Sequence, residues 1–69
     1  MEDLYIERAS IYCKLGDYSK ALIDINKSIE LNPDYAMAYN NRSYIYSQLG
    51  DYFKANQDFI KAKELGFYK

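Results

Sequence analysis

The chain has 69 residues, of which 49% are hydrophobic and 17% aromatic, and its nine basic and ten acidic side chains leave a net charge of −1. So balanced a charge offers no long-range pull on nucleic acid or anionic lipid, and so much apolar and aromatic surface excludes a disordered tail. The length allows one small domain, of the size that buries only about 60% of its unfolded surface.

From the N-terminus, Leu4, Tyr5, Ala9, Ile11, Tyr12 and Leu15 recur at three- and four-residue spacings, which predicts an amphipathic helix over about residues 3–15. Gly16-Asp17 interrupts it, with glycine suited to a left-handed helix end and aspartate to capping the next helix. Ala21, Leu22, Ile25, Ile29 and Leu31 carry a second apolar face, over about 18–31. Asn32-Pro33-Asp34 stops that helix and starts a third, over about 35–48, because proline is tolerated only in a first turn. Gly50-Asp51 breaks the pattern again before a fourth helix, over about 52–65. Runs of alternating polarity, the signature of half-buried strands, are missing, so the expected class is all-α.

The elements repeat. Leu15-Gly16-Asp17-Tyr18-Ser19-Lys20-Ala21 returns as Leu49-Gly50-Asp51-Tyr52-Phe53-Lys54-Ala55, with Gly16 and Gly50 standing 34 residues apart. Sliding the chain by that interval pairs residues 2–35 with 36–69, and 14 of the 34 pairs are identical, far above chance. The expected organisation is therefore two helical hairpins, one per unit, stacked as a short solenoid.

The period and the aromatic, small-residue and proline positions resemble the tetratricopeptide repeat. Tyr5, Arg8, Ala9, Tyr12, Ala21, Ile25 and Pro33 carry the resemblance in the first unit, and Tyr39, Arg42, Ser43, Tyr46, Ala55 and Phe59 in the second. Arginine stands twice where the family carries leucine, Ala9 and Ser43 replace its glycine, and Phe67 stands in place of its proline. RNA-reading relatives with 35-residue repeats fit neither this period nor the lack of a basic surface. The resemblance implies two antiparallel helix-turn-helix hairpins in a short superhelix. Their function would be to bind another protein or peptide.

Small residues must let the helices of a hairpin approach, here Ala9 against Ala21 and Ser43 against Ala55, while Tyr12, Ile25, Tyr46 and Phe59 fill the remaining space. Tyr18 and Tyr52 are expected to fold back over the hairpin ends. Lys20, Asp24 and Lys27, with the matching Lys54, Asp58 and Lys61, read as solvated pairs on the outer faces. One face of each first helix is left over: Asp3, Ile6, Ser10, Cys13 and Lys14, then Met37, Asn40, Asn41, Tyr44, Ser47 and Gln48. In proteins of the family such faces line a concave groove that holds a partner peptide or helix. Met37 and Tyr44 suit an adaptable or amphipathic contact, and Asn40 and Asn41 can each donate to and accept from a peptide backbone. The family's clamp for a C-terminal carboxylate is not expected. Asn41 matches one of its asparagines, but Ile6 and Ser10 stand where it would carry lysine and asparagine.

Catalysis, cofactors and metals are not expected. The chain has no histidine, one cysteine and three isolated glycines, which rules out the usual general base, zinc set and phosphate-cradling loop. A single cysteine, Cys13, and the lack of a leader or a long apolar run favour an intracellular, cytoplasmic setting. The two ends of the stack differ. Leu22, Ile23 and Ile29 offer apolar side chains for the next hairpin to cover, whereas the matching Asn56, Gln57 and Lys63 suit the C-terminal end of an array. Leu4 and Ile11 lie where an earlier unit would dock, an edge for upstream repeats or for self-association. An assembly unit built on stacking is thus the alternative to a peptide binder.

Overall fold

The computed structural model of the protein describes residues 2–67, and the side chain of Asp3 and residues 68 and 69 of the second unit lie outside what is described. Four helices follow in order, α1 (Glu2–Lys14), α2 (Tyr18–Leu31), α3 (Ala36–Gln48) and α4 (Tyr52–Glu64), each within one residue of its expected ends. No strand occurs among the described residues. The fold is all-α: α1 packs on α2 and α3 on α4 as two hairpins, which meet mainly through α2 and α3, with α1 also reaching α3.

The turns explain why the hairpins close where they do. Gly16 and Gly50 adopt φ of +79° and +83°, a left-handed conformation that other residues rarely take. Around Gly16, the Asp17 amide donates to the Tyr12 carbonyl at 2.8 Å and the Gly16 amide donates to that of Cys13 at 3.0 Å. These two hydrogen bonds satisfy carbonyls that the end of α1 would otherwise leave unpaired. The Asp17 side chain then accepts from the Lys20 amide and caps α2, and Asp51 does the same for Lys54 and α4. Between hairpins, the Tyr39 hydroxyl donates to the Pro33 carbonyl at 2.8 Å, which fastens that turn to α3.

Ile6, Ala9, Ala21, Ile25, Ala38 and Ile45 form the core, with Tyr12, Cys13, Tyr18, Leu22, Ile29 and Tyr35 packed around it. The small residues meet as expected, and the Ser43 hydroxyl donates to the Ala55 carbonyl at 2.7 Å across the second hairpin. Five expectations need correction. Ile6 is buried in the core rather than on the leftover face, because it shares a stripe with Ala9 that turns toward α2 and α3. Phe59 is 39% exposed where its counterpart Ile25 is fully buried, since among the described residues no helix packs on α4 as α3 packs on α2. Tyr52 and Ile23 are exposed as well, the first for the same reason and the second because α3 covers a different face of α2.

The fifth correction is the largest. Asp24 and Asp58 are buried, not solvated, and their partners are arginines of the facing helix. Arg8 donates through Nε and Nη2 to the two carboxylate oxygens of Asp24 at 2.8 and 2.7 Å. Arg42 grips Asp58 in the same way at 2.7 and 2.9 Å. The arginine where the family carries leucine is thus half of a bidentate ion pair that crosses each hairpin. Hydrogen bonding to the carboxylate raises both guanidinium pKa values above their already high ordinary range, against the opposing effect of burial.

Two stability measurements follow. Asp58→Ala should destabilise the domain by about 1.5–3 kcal/mol in urea titration, the usual loss for hydrogen bonds to a charged group. Ser28→Ala should do the opposite. The Ser28 hydroxyl is fully buried with no hydrogen-bond partner, and the same position of the second unit is a buried alanine, Ala62. Removing the orphaned hydroxyl should raise the unfolding free energy by about 1 kcal/mol.

Candidate peptide-binding groove

Side chains three and four residues apart share one side of a helix, so Ala9, Ser10 and Cys13 of α1 form one wall and Asn40, Asn41, Tyr44 and Ile45 of α3 the other. Between them lies a cleft of about 280 Å³. Buried Ala9 and Ile45 make an apolar floor, and Ser10, Asn40, Asn41 and the half-exposed Tyr44 make a polar rim. Its volume falls just under the roughly 300–1,000 Å³ of small-molecule sites. It suits one or two side chains of an extended segment.

Of the residues expected to line a groove, Ser10, Cys13, Asn40, Asn41 and Tyr44 come together here. Ile6 does not, being buried in the core. Met37, Ser47 and Gln48 lie outside the cleft wall. Met37 is exposed and its sulfur accepts from the Tyr35 hydroxyl at 3.8 Å, and the Ser47 hydroxyl donates to the Tyr44 carbonyl at 2.6 Å.

Sequence reasoning missed Tyr18 at this site. From the first turn of α2 its ring meets Tyr44 edge-on, with centroids 6.4 Å apart and planes at 66°. The adjacent Tyr44 side chain, aided by burial, pushes the Tyr18 phenol pKa up. Tyr44 is thereby braced from behind while its outer face stays open. The signal was available in part, because Tyr18 follows the glycine turn and had to cover something at that end. Only the placement of α3 identifies Tyr44 as the neighbour.

The comparisons with known proteins agree with the repeat fold. One tetratricopeptide repeat model matches residues 2–35, and a second matches residues 25–57. The chain belongs to the tetratricopeptide repeat family. It is also similar to the Protein SGT1 homolog of Oryza sativa subsp. japonica, at 49% identity over 37 residues, which cover 54% of this chain and 10% of that relative. The match thus spans about a tenth of the relative's length.

Among the described residues no cluster of three potential metal ligands forms, and no helix is long and apolar enough to cross a membrane. Cys13 lines the cleft as a half-buried thiol whose pKa is raised by burial, which disfavours the thiolate. Because the thiolate is the reacting form, alkylation by iodoacetamide near neutral pH should be slower in the folded chain than in urea. The rate should climb only as pH passes above the ordinary thiol range. Equal rates in the folded and urea-unfolded chain would show that burial does not suppress this thiol.

Proposed function

We propose that this chain is a non-catalytic interaction module that holds a short segment of a partner protein in the cleft between α1 and α3. The observation that carries the reading is the composition of that cleft. First helices of both repeats meet over an apolar floor, with carboxamides on one rim and a braced, half-exposed tyrosine beside them. Carboxamides can both donate to and accept from an extended backbone, and tyrosine supplies amphipathic contact area with few torsions to freeze. Membership of a family of interaction repeats supports the same reading. The single cysteine fits a reducing, cytoplasmic setting.

The test compares proteins captured from native lysate by the parent chain and by variants. Tyr44→Ala and Asn41→Ala should each weaken capture by about 1 kcal/mol or more, with helicity retained. Met37→Ala should weaken it too if the partner runs on past the cleft. Lys20→Ala, Lys27→Ala and Lys61→Ala lie on exposed or outward positions and should leave capture unchanged. Capture should also depend only weakly on salt, since the cleft wall carries no formal charge. If Tyr44→Ala and Asn41→Ala capture the same proteins as the parent, the cleft is not the binding site.

A second reading, assembly by stacking, is favoured by a separate observation. Leu4 and Ile11 on α1 are 62% and 57% exposed, while their counterparts Ala38 and Ile45 are fully buried between the hairpins. In that reading the chain forms the C-terminal end of an array, and the open face of α1 is its assembly edge.

A further inference from the structure

The junction between the two hairpins contains a contact that the repeat itself leaves incomplete at its other end. Arg42 not only grips Asp58 within its own hairpin but also donates through Nη1 to the Asn26 carboxamide oxygen of the preceding hairpin, at 3.0 Å. Around it, Leu22, Ile25 and Ile29 of α2 pack toward the core that contains Ala38 and Ile45. Arg8 holds the same place in the first unit and makes the same bidentate bond to Asp24. Its side chain is 58% exposed where that of Arg42 is 22% exposed. Beside it an open seam of about 420 Å³ runs between Tyr5 and Arg8 on α1 and Ile23 and Lys27 on α2. Leu4 and Ile11 border this face, uncovered.

We infer that the α1 face of Leu4, Arg8 and Ile11 docks the second helix of another hairpin of this kind, and that this helix presents a hydrogen-bond acceptor to Arg8 as Asn26 does to Arg42. The inference rests on the assembly reading and is independent of the cleft. Its template is the α2–α3 interface within the chain, and its chemistry is that of the Asn26 carboxamide that crosses that interface to Arg42. A second copy of the chain lacks that chemistry. At the positions of Leu22, Asn26 and Ile29, α4 carries Asn56, Ile60 and Lys63. An α4 docked on α1 would place an isoleucine against the guanidinium and a lysine where the interface is apolar. The occupant is therefore a different hairpin, with aliphatic side chains at the positions of Leu22, Ile25 and Ile29 and a carboxamide or carboxylate at that of Asn26.

The chain can be made to supply its own probe. Asn56→Leu, Phe59→Ile, Ile60→Asn and Lys63→Ile together rebuild the α2 face on α4. Sedimentation equilibrium should find the parent monomeric and this variant associating head to tail. Keeping Ile60 while making the other three changes should weaken association at least tenfold. Adding Leu4→Lys and Ile11→Lys to the full variant should abolish it. The inference is overturned if the folded variant stays monomeric at millimolar concentration, if association survives the lysines, or if Ile60 is tolerated without loss. It is overturned equally if the parent self-associates through Leu4 and Ile11, because a second copy is then the occupant. Should the rebuilt α4 not fold, a synthetic peptide of residues 17–35 can be titrated onto the isotope-labelled parent. Shifts at the amides of Leu4, Arg8 and Ile11 that weaken for an Asn26→Ala peptide support the inference, and unchanged amides there overturn it.

Discussion

A carboxylate enclosed between two helices must find a positive partner, because an unpaired buried charge costs far more than a small domain can spare. Asp24 and Asp58 impose that condition once in each hairpin. Arg8 and Arg42, 16 residues earlier in each case, meet it with a fork that matches both carboxylate oxygens. A bidentate pair tolerates little sliding, so it fixes which residues of the two helices lie opposite. With that register set, Ala9 meets Ala21 and Ser43 meets Ala55 at the closest approach. The left-handed glycine then sits where the chain must reverse.

The same guanidinium links the hairpins to each other. Arg42 is tied to Asp58 on α4 and to Asn26 on α2, so one planar group sets the position of α3 between its two neighbours. That position determines the cleft. Ser10 and Cys13 on α1 face Asn41 and Tyr44 on α3 only because α2 holds α3 at this offset, and Tyr18 of α2 then reaches Tyr44. The stacking of the hairpins and the shape of the cleft are thus coupled through α3. A change at the Arg42 contact would reach the cleft without altering any residue that lines it.

How much of this could be read beforehand depends on the separation of the interacting residues. The 34-residue period, the glycine-aspartate turns and the helix limits are local signals with fixed chemistry, and they located all four helices. The Arg–Asp pairs were not legible in the same way. Lys20 and Lys27 flank Asp24 at helical spacing, so a surface ion pair and a carboxylate aimed at a distant arginine look alike in the sequence. Ile6 failed for a related reason. It lies in one stripe with Ala9 and Cys13, and periodicity finds the stripe without finding where along it burial gives way to the open cleft. Five of the expected groove residues do line the cleft, because they sit on the side of that boundary facing the partner helix.

Where a unit stands in the stack therefore alters what an identical residue does. Ile11 and Ile45 are the same amino acid at the same place in the repeat, one 57% exposed and the other fully buried. At Ile45 the hydrophobic gain is already part of folding, on the order of the 2–5 kcal/mol lost when such a side chain is cut to alanine. At Ile11 more than half of the side chain still meets water, so much of the corresponding gain is realised only when something covers α1. Burial of Leu4 and Ile11 would contribute at roughly 25 cal/mol per Å² of apolar surface removed from water. Arg8 would lose hydration in the same step, which makes an acceptor opposite it a condition of docking rather than an accessory to it. The apolar pair supplies the attraction on this face, and the arginine restricts which helices can use it.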